Sequence, residues 1–320
     1  MISASKNQSE FKIIIRGVRG SYPVGGKDFV KYGGSTSCYE IWAGGSLIIV
    51  DAGTGIVNLG KDLMRAYIKS GSDFESRTSI EAVLLFSHVH VDHTQGLPFF
   101  SPIFLPDSTF YIYGPDSARL PFEEAITSSL LPPYLPVSRI DMHSLMLFRS
   151  ISQIETVYWS TKKGIPNVIN GYREFERKKQ TEKTSDIKIS SMKSYAHPNE
   201  GVLVYKIEFA GKSIVIATDT EGYVYGDTRL INFSKGVDLL LHDAGYLKDD
   251  YKSAMGNKQG FGHSTMEMAV EVAKSAGVKK LGLVHHDPNN NDKILDLIDT
   301  TSKKLFPNSF AAYEGQVIKL

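Results

Sequence analysis

Seven consecutive residues constrain this chain more than any others: Ser87-His88-Val89-His90-Val91-Asp92-His93. They follow Glu81 to Phe86, a continuous apolar run that reads as a buried strand, so the histidines leave a rigid strand end together. Layered α/β folds gather their sites at such ends. His88 and His90, separated by Val89, can both reach one metal ion at roughly 2.0–2.1 Å, while Asp92 and His93 can turn toward a second. Loop polarity or satisfied core histidines would be a poor explanation for so dense a cluster.

The flanking sequence places this cluster in a layered fold. Phe11 to Arg16 predicts a strand, Gly17 to Gly34 a glycine-rich loop, and Tyr39-Glu40-Ile41-Trp42 with Ser46 to Val50 a hairpin turning through Ala43-Gly44-Gly45. Asp51-Ala52-Gly53-Thr54-Gly55 ends the second strand, and Ile56 to Ser70 reads as a helix. The same grammar returns later, with a hairpin over Val202 to Phe209 and Ser213 to Ala217 and a buried strand over Val237 to Leu241. Ser264 with Glu267 reads as a capping box, Met266, Ala269, Val270 and Ala273 form one helical stripe, and Gly277 stops that helix before a strand over Lys280 to Val284. Phe310 to Leu320 reads as a closing strand. Two β-rich halves, each backed by helices, predict an α/β fold of four layers, an α/β/β/α sandwich with its loops converging on one edge. The expected organisation is a single domain over 1–320 with an irregular insert at about 98–190, where prolines crowd and periodicity fails.

A chain of 320 residues with 42% apolar content can fill a sizeable core. A formal net charge of +1 gives no electrostatic reason for strong nonspecific binding to nucleic acid or to an anionic membrane. The polar run from Tyr172 to Lys188, with Arg177-Lys178-Lys179 among glutamates, reads as a solvated helix or loop. Met1 to Glu10 has no apolar h-region and no stretch of eighteen apolar residues occurs, so the expected compartment is the cytoplasm, with no membrane partner. Cys38, the single cysteine, cannot form an internal disulfide and reads as a small buried hydrophobe.

Four ligands at one strand end need partners from the second half. Three candidates stand at predicted strand ends or before proline turns: His197, Asp219, and either His285 or His286. Asp219 is the informative one, because a carboxylate can bridge two cations about 3.5–4 Å apart.

His-x-His-x-Asp-His, the later His197, Asp219 and His285, and the early Asp51-Ala52-Gly53-Thr54-Gly55 resemble the metallo-β-lactamase superfamily over nearly the whole chain outside the insert. Gly262-His263-Ser264-Thr265, Leu241-His242-Asp243-Ala244 and Leu283-Val284-His285-His286-Asp287-Pro288 resemble its phosphodiesterase branch, which includes ribonuclease Z and the cyclic-phosphate phosphodiesterases. That branch has an aspartate at the bridging position, where β-lactamases have a cysteine ligand to the second metal. The resemblance implies His88, His90 and His197 on a first metal, Asp92, His93 and His285 on a second, and Asp219 between them. His285 is preferred to His286 because it directly follows the apolar strand. The resemblance also implies an activated bridging water attacking phosphorus, with Asp92 in the catalytic set and His263 protonating the leaving oxygen. Gly-His-Ser-Thr is also a plain helix start. Asp51 and Asp243 are expected to orient ligands. Arg19, Ser21 and Tyr32 in the glycine-rich loop either contact substrate phosphate or mark tight turns.

The expected cofactors are two divalent ions, zinc first, with manganese, iron or nickel also compatible with His, Asp and water. The expected substrate is a small-molecule or nucleotide phosphodiester, and a homodimer is allowed. An ester, thioester or lactone hydrolase of the same superfamily would use the same metals on a carbonyl. Ribonuclease Z activity is disfavoured by the near-neutral charge and by the lack of a glycine- and proline-bounded basic arm. A diiron oxidoreductase of the flavodiiron type would have Glu where His90 stands, and a non-catalytic binding module would have lost ligands, whereas all seven are present.

Overall fold

The computed structural model describes residues 10–117, 119–132, 139–161, 164–171, 186–223, 225–252 and 256–320. The first sheet contains β1 (Phe11–Gly17), β2 (Cys38–Ala43), β3 (Ser46–Val50), β4 (Ile80–Leu85), β5 (Ser108–Gly114) and β6 (Leu145–Ser150). The second contains β7 (Glu155–Ser160), β8 (Asn167–Asn170), β9 (Asp186–Ser194), β10 (Val202–Phe209), β11 (Lys212–Ala217), β12 (Leu239–Asp243), β13 (Leu281–Val284) and β14 (Ser309–Ala311). A last strand, β15 (Val317–Lys319), returns to the first sheet, giving the orders β15-β1-β2-β3-β4-β5-β6 and β14-β13-β12-β11-β10-β9-β7-β8.

Side-chain alternation builds the layers. Along β3, Ile48 and Val50 point into the core between the sheets, while Leu47 and Ile49 point into a second core under α1 (Gly55–Ser70). In β12, Leu239 and Leu241 join the inter-sheet core, and Leu240 packs with Ala269, Val270 and Ala273 of a helix over Met266–Ala276. Strands buried on both faces read as continuous apolar runs, which is why Leu47 to Val50 and Leu239 to Leu241 were recognisable. Helix, sheet, sheet and helix therefore stack as the four layers expected. Cys38 lies buried in the core, where burial pushes its thiol well above the ordinary range and leaves it inert.

Three expectations need correction. The stretch from Thr94 to Met192 is not uniformly irregular: β5 and β6 extend the first sheet in parallel from β4, and β7 pairs antiparallel with β9. The expected closing strand is two short strands in different sheets, because Gly315 turns the chain at φ 82° between β14 and β15. The helix after His263 is capped one residue later than expected. Thr265 is its N-cap and its N–H faces Met268 Sδ at 3.5 Å, while Ser264 donates its hydroxyl to the Thr220 carbonyl at 2.6 Å. Gly277 ends that helix in the left-handed region at φ 62°, as expected. The charged run at 172–185 lies outside the described residues.

The parallel strands decide where chemistry can occur. β3, β4 and β5 run parallel in one sheet and β11, β12 and β13 in the other. Asp51, Ser87, Asp219, Asp243 and His285 sit at or just beyond the carboxyl ends of β3, β4, β11, β12 and β13. Both sheets thus deliver polar residues to one edge of the sandwich.

Candidate metal centre

β4 ends at Leu85, and the chain runs through Ser87 to His90 before the single helical turn Val91–Thr94. Asp92 and His93 lie on that turn and are buried, as is His88. His197 arrives from the loop after β9, Asp219 from the end of β11, and His285 from the end of β13.

The donor atoms fall into two adjoining sets. His88, His90 and His197 bring one nitrogen each within 4.8 Å of the others, and Asp92, His93, Asp219 and His285 do the same. Within the second set, His93 Nε2 is 3.1 Å from Asp219 Oδ2 and 3.3 Å from Asp92 Oδ2. His285 Nε2 is 3.2 Å from Asp92 Oδ2 and 3.2 Å from Asp219 Oδ1. In the first set, His197 Nε2 and His90 Nδ1 are 3.1 Å apart. Two donors at roughly 2.0–2.1 Å from one tetrahedral ion would stand about 3.4 Å apart, so these separations suit shared coordination. The donor chemistry agrees: His88 Nε2 is buried without a hydrogen-bond partner. A buried polar atom is rarely left that way unless something else satisfies it. Asp219 adjoins both sets, its Oδ1 4.0 Å from His88 Nε2 as its Oδ2 faces His93.

An outer ring of carboxylates holds these groups. Asp51 accepts from the Ser87 backbone N–H at 2.7 Å and from the Ser87 hydroxyl at 2.9 Å, and its Oδ2 lies 2.9 Å from His93 Nδ1. That contact leaves His93 Nε2 to face the other candidate donors, the arrangement by which a carboxylate supports an imidazole at metal sites. Asp243 does the equivalent work in the second half, accepting from the N–H groups of Asp219, Gly245 and Ser264 and lying 2.8 Å from His263 Nδ1. Asp51, Asp219, His285 and Ser21 all take positive φ, at 61°, 53°, 59° and 61°. Strain on the order of 1–3 kcal/mol each persists only where surroundings over-determine it, and it clusters at functional sites.

Electrostatics distinguish the two sets. Burial pushes His88 well below its ordinary value, lowers His90 and takes His197 to about 4, so all three imidazoles of the first set are biased toward the neutral form. Burial also opposes charge on His93 and His285, yet neighbouring carboxylates outweigh it, raising His93 well above the ordinary range and His285 to about 9. Asp219 is held well below its ordinary value against the cost of burial, chiefly by His285 and His93. A buried carboxylate cluster of this kind demands cations, supplied either by protons or by metal.

The two adjacent histidines part ways. His285 faces the carboxylates, whereas His286 turns into the fold, its Nε2 3.0 Å from the Ala312 carbonyl, and burial takes it to about 3. His263 stacks on His285 with ring centroids 4.9 Å apart and joins a further donor group with His197 and Asp219. Arg19 and Tyr32 serve the scaffold. The Arg19 guanidinium is fully buried and donates to the carbonyls of Gly33 and Asn290 at 2.8 and 2.7 Å, and the Tyr32 hydroxyl donates to Asp296. Ser21 alone of the three touches the site, donating its backbone N–H to Asp92 Oδ2 at 2.8 Å.

Sequence reasoning missed two glycines. A Cβ on Gly20 would lie 2.3 Å from His285 Cε1, and one on Gly262, at φ 88°, 2.2 Å from His197 Nδ1. Their signal was present but ambiguous, since glycine also serves ordinary turns.

Residues 172–286 match a family model described as the β-lactamase superfamily domain. A ribonuclease Z from Prochlorococcus marinus is 27% identical over 309 residues, covering 88% of this chain and 90% of that protein. Among solved structures, the metallo-β-lactamase fold protein YhfI from Bacillus subtilis superposes with a TM-score of 0.64 at 19% identity, covering 98% of this chain and 100% of that one. The short form of human tRNase Z gives 0.57 at 17% identity, covering 96% and 98%. The chain thus has the metallo-β-lactamase fold, its residues 172–286 match the β-lactamase superfamily domain, and ribonuclease Z is among its sequence relatives.

Proposed function

We propose that this chain is a dinuclear metal-dependent phosphodiesterase, built as one domain over its whole length. Asp219 carries the reading: a buried carboxylate with one oxygen 3.1 Å from His93 Nε2 and the other 4.0 Å from His88 Nε2 stands where two ions would share a ligand. His88, His90 and His197 would hold one ion, Asp92, His93 and His285 the other, with zinc first among the ions suited to these donors. When bound, the pair supplies Lewis acidity toward a phosphoryl oxygen and lowers the pKa of water toward ~7.

The chain's own residues do the rest. Ser21 donates to Asp92 and fixes the carboxylate against His285. Asp51 and Asp243 hold their imidazoles and exclude alternative rotamers. His263 is suited to deliver a proton to the leaving oxygen. Its Nδ1 is taken by Asp243, leaving Nε2 free, and although burial disfavours the charge, the Asp243 carboxylate raises its pKa above the ordinary histidine value.

Likeness to a ribonuclease Z across 88% of the chain favours a second reading, in which the phosphodiester lies in RNA. Purified protein reconstituted with zinc or manganese should hydrolyse bis-p-nitrophenyl phosphate or a cyclic nucleotide and leave thioesters intact. Cleavage of a precursor tRNA at its 3′ side in preference to these would favour the second reading. Thioester hydrolysis without phosphodiesterase activity would overturn both.

A further inference from the structure

Glu221 lies two residues beyond Asp219, outside both donor sets, and its carboxylate gathers an unusual number of donors. Gly260 N–H reaches Oε1 and Oε2 at 2.8 and 2.9 Å, Gly262 N–H reaches Oε2 at 2.9 Å, and the Tyr251 hydroxyl donates to Oε1 at 2.5 Å. Gly260 and Gly262 both take positive φ, 84° and 88°, so the segment between them is a tight curve closed onto one side chain. This curve is wedged into the metal centre. Gly262 packs against the His197 ring closely enough that no Cβ fits, and the next residue, His263, stacks on His285. His263 also meets His197 edge-on at 5.4 Å. The Gly260–His263 segment therefore touches an imidazole from each donor set, His197 through the Gly262 backbone and His285 through the His263 ring.

We propose that Glu221 is a positioning residue for this centre: its carboxylate clamps the Gly260–Gly262 backbone, and through that clamp sets the rings of His197 and His263. The proposal rests on the dinuclear hydrolase reading for its catalytic consequence, though not for its structural one. Charge-assisted bonds from backbone N–H groups to a carboxylate are among the stronger hydrogen bonds a protein makes, and Glu221 receives them from both Gly260 and Gly262. Neighbouring bonds leave Glu221 with a separate task. Thr220 O takes the Ser264 hydroxyl and Asp243 takes the Ser264 N–H, which fixes the helix start but not the curve before it.

The test uses the full chain loaded with cobalt(II), whose visible d–d bands report ligand geometry independently of turnover, in three variants: Glu221→Ala, Glu221→Gln and Tyr251→Phe. Glutamine keeps one oxygen for both glycine N–H groups and can donate to Tyr251, so it should restore most of what alanine loses. Glu221→Ala is expected to change the cobalt bands and lower kcat about 10- to 100-fold, the usual effect of removing an outer-sphere partner, with KM nearly unchanged. Tyr251→Phe should show a smaller change in the same direction. Wild-type bands in Glu221→Ala would overturn the proposal whatever the activity. So would a fall in thermal stability that Glu221→Gln shares in full, since that would make the role purely structural. If the wild-type protein hydrolyses no phosphodiester, the functional reading fails, while the cobalt bands still decide the role of Glu221.

Discussion

Substituting Gly20→Ala is the sharpest steric test of the centre. Its methyl carbon would stand 2.3 Å from His285 Cε1 and 2.5 Å from Nδ1. Carbon atoms in contact settle near 3.5 Å, so the His285 ring or the Gly20 backbone must retreat by about 1.2 Å. Retreat of the backbone is opposed by Gly20 N–H, bonded to the His286 carbonyl at 3.1 Å, and by Ser21 N–H on Asp92. Ligand distances at a metal site tolerate only ~0.2 Å, so a displacement of this size would remove His285 from the coordination proposed for it. Misplacement near 1 Å can cost roughly 100-fold in rate. Elemental analysis after zinc loading and dialysis should find the metal content of Gly20→Ala lowered by about one ion per chain, with phosphodiesterase activity down at least about 100-fold. Circular dichroism should be unchanged. A variant with full metal content and wild-type kcat would refute the placement of His285 beside Gly20.

Asp51→Ala removes the partner of His93 Nδ1 and of Ser87, and metal affinity measured by competition with a chelator should fall about 10- to 100-fold. Arg19→Ala strands the buried carbonyl of Asn290 and the half-buried one of Gly33, and denaturant titration should register a loss of about 1–3 kcal/mol. Asp238 gives a pH signature remote from the site. Burial would raise its carboxyl, but Lys279, the Ser213 N–H and Lys212 outweigh that and depress it below the ordinary carboxylate value. A depressed folded-state pKa means a stabilisation present at neutral pH and lost as pH falls through the folded value. Asp238→Asn should therefore be less stable than wild type at pH 7, by under ~1 kcal/mol given its exposed lysine partners, and the difference should shrink as the pH falls through the folded-state value.

What the sequence disclosed follows physical lines. His88 to His93 were legible because one strand end supplies four donors in six positions, and local order survives folding. His197, Asp219 and His285 were legible only as strand-end residues whose convergence depends on two sheets packing face to face. Asp51 and Asp243 could be read as supports, whereas Glu221 could not, since its partners lie about forty residues away on backbone N–H groups that carry no sequence signal. Gly20 was hidden among glycines with ordinary turn roles. β6 escaped notice because its surface is largely exposed and its apolar residues, such as Leu145 and Leu147, do not read as core. β5 was obscured differently: the prolines before it lie in short helical turns, and the parallel strand they lead into carries a buried Phe110-Tyr111-Ile112-Tyr113 that was readable in hindsight. Arg19 in the glycine-rich loop was open to two readings, contact with substrate phosphate or a place in a tight turn. Burial reassigns it to the scaffold.

The most direct measurement is the metal stoichiometry of wild type and Asp219→Ala, taken together with their rates on one phosphodiester. A shared carboxylate between two donor sets predicts two ions per wild-type chain, fewer than two in Asp219→Ala, and a rate lowered by at least about 1000-fold, as loss of a centre that activates water and stabilises phosphoryl charge entails. Two ions and an unchanged rate in Asp219→Ala would contradict the dinuclear centre.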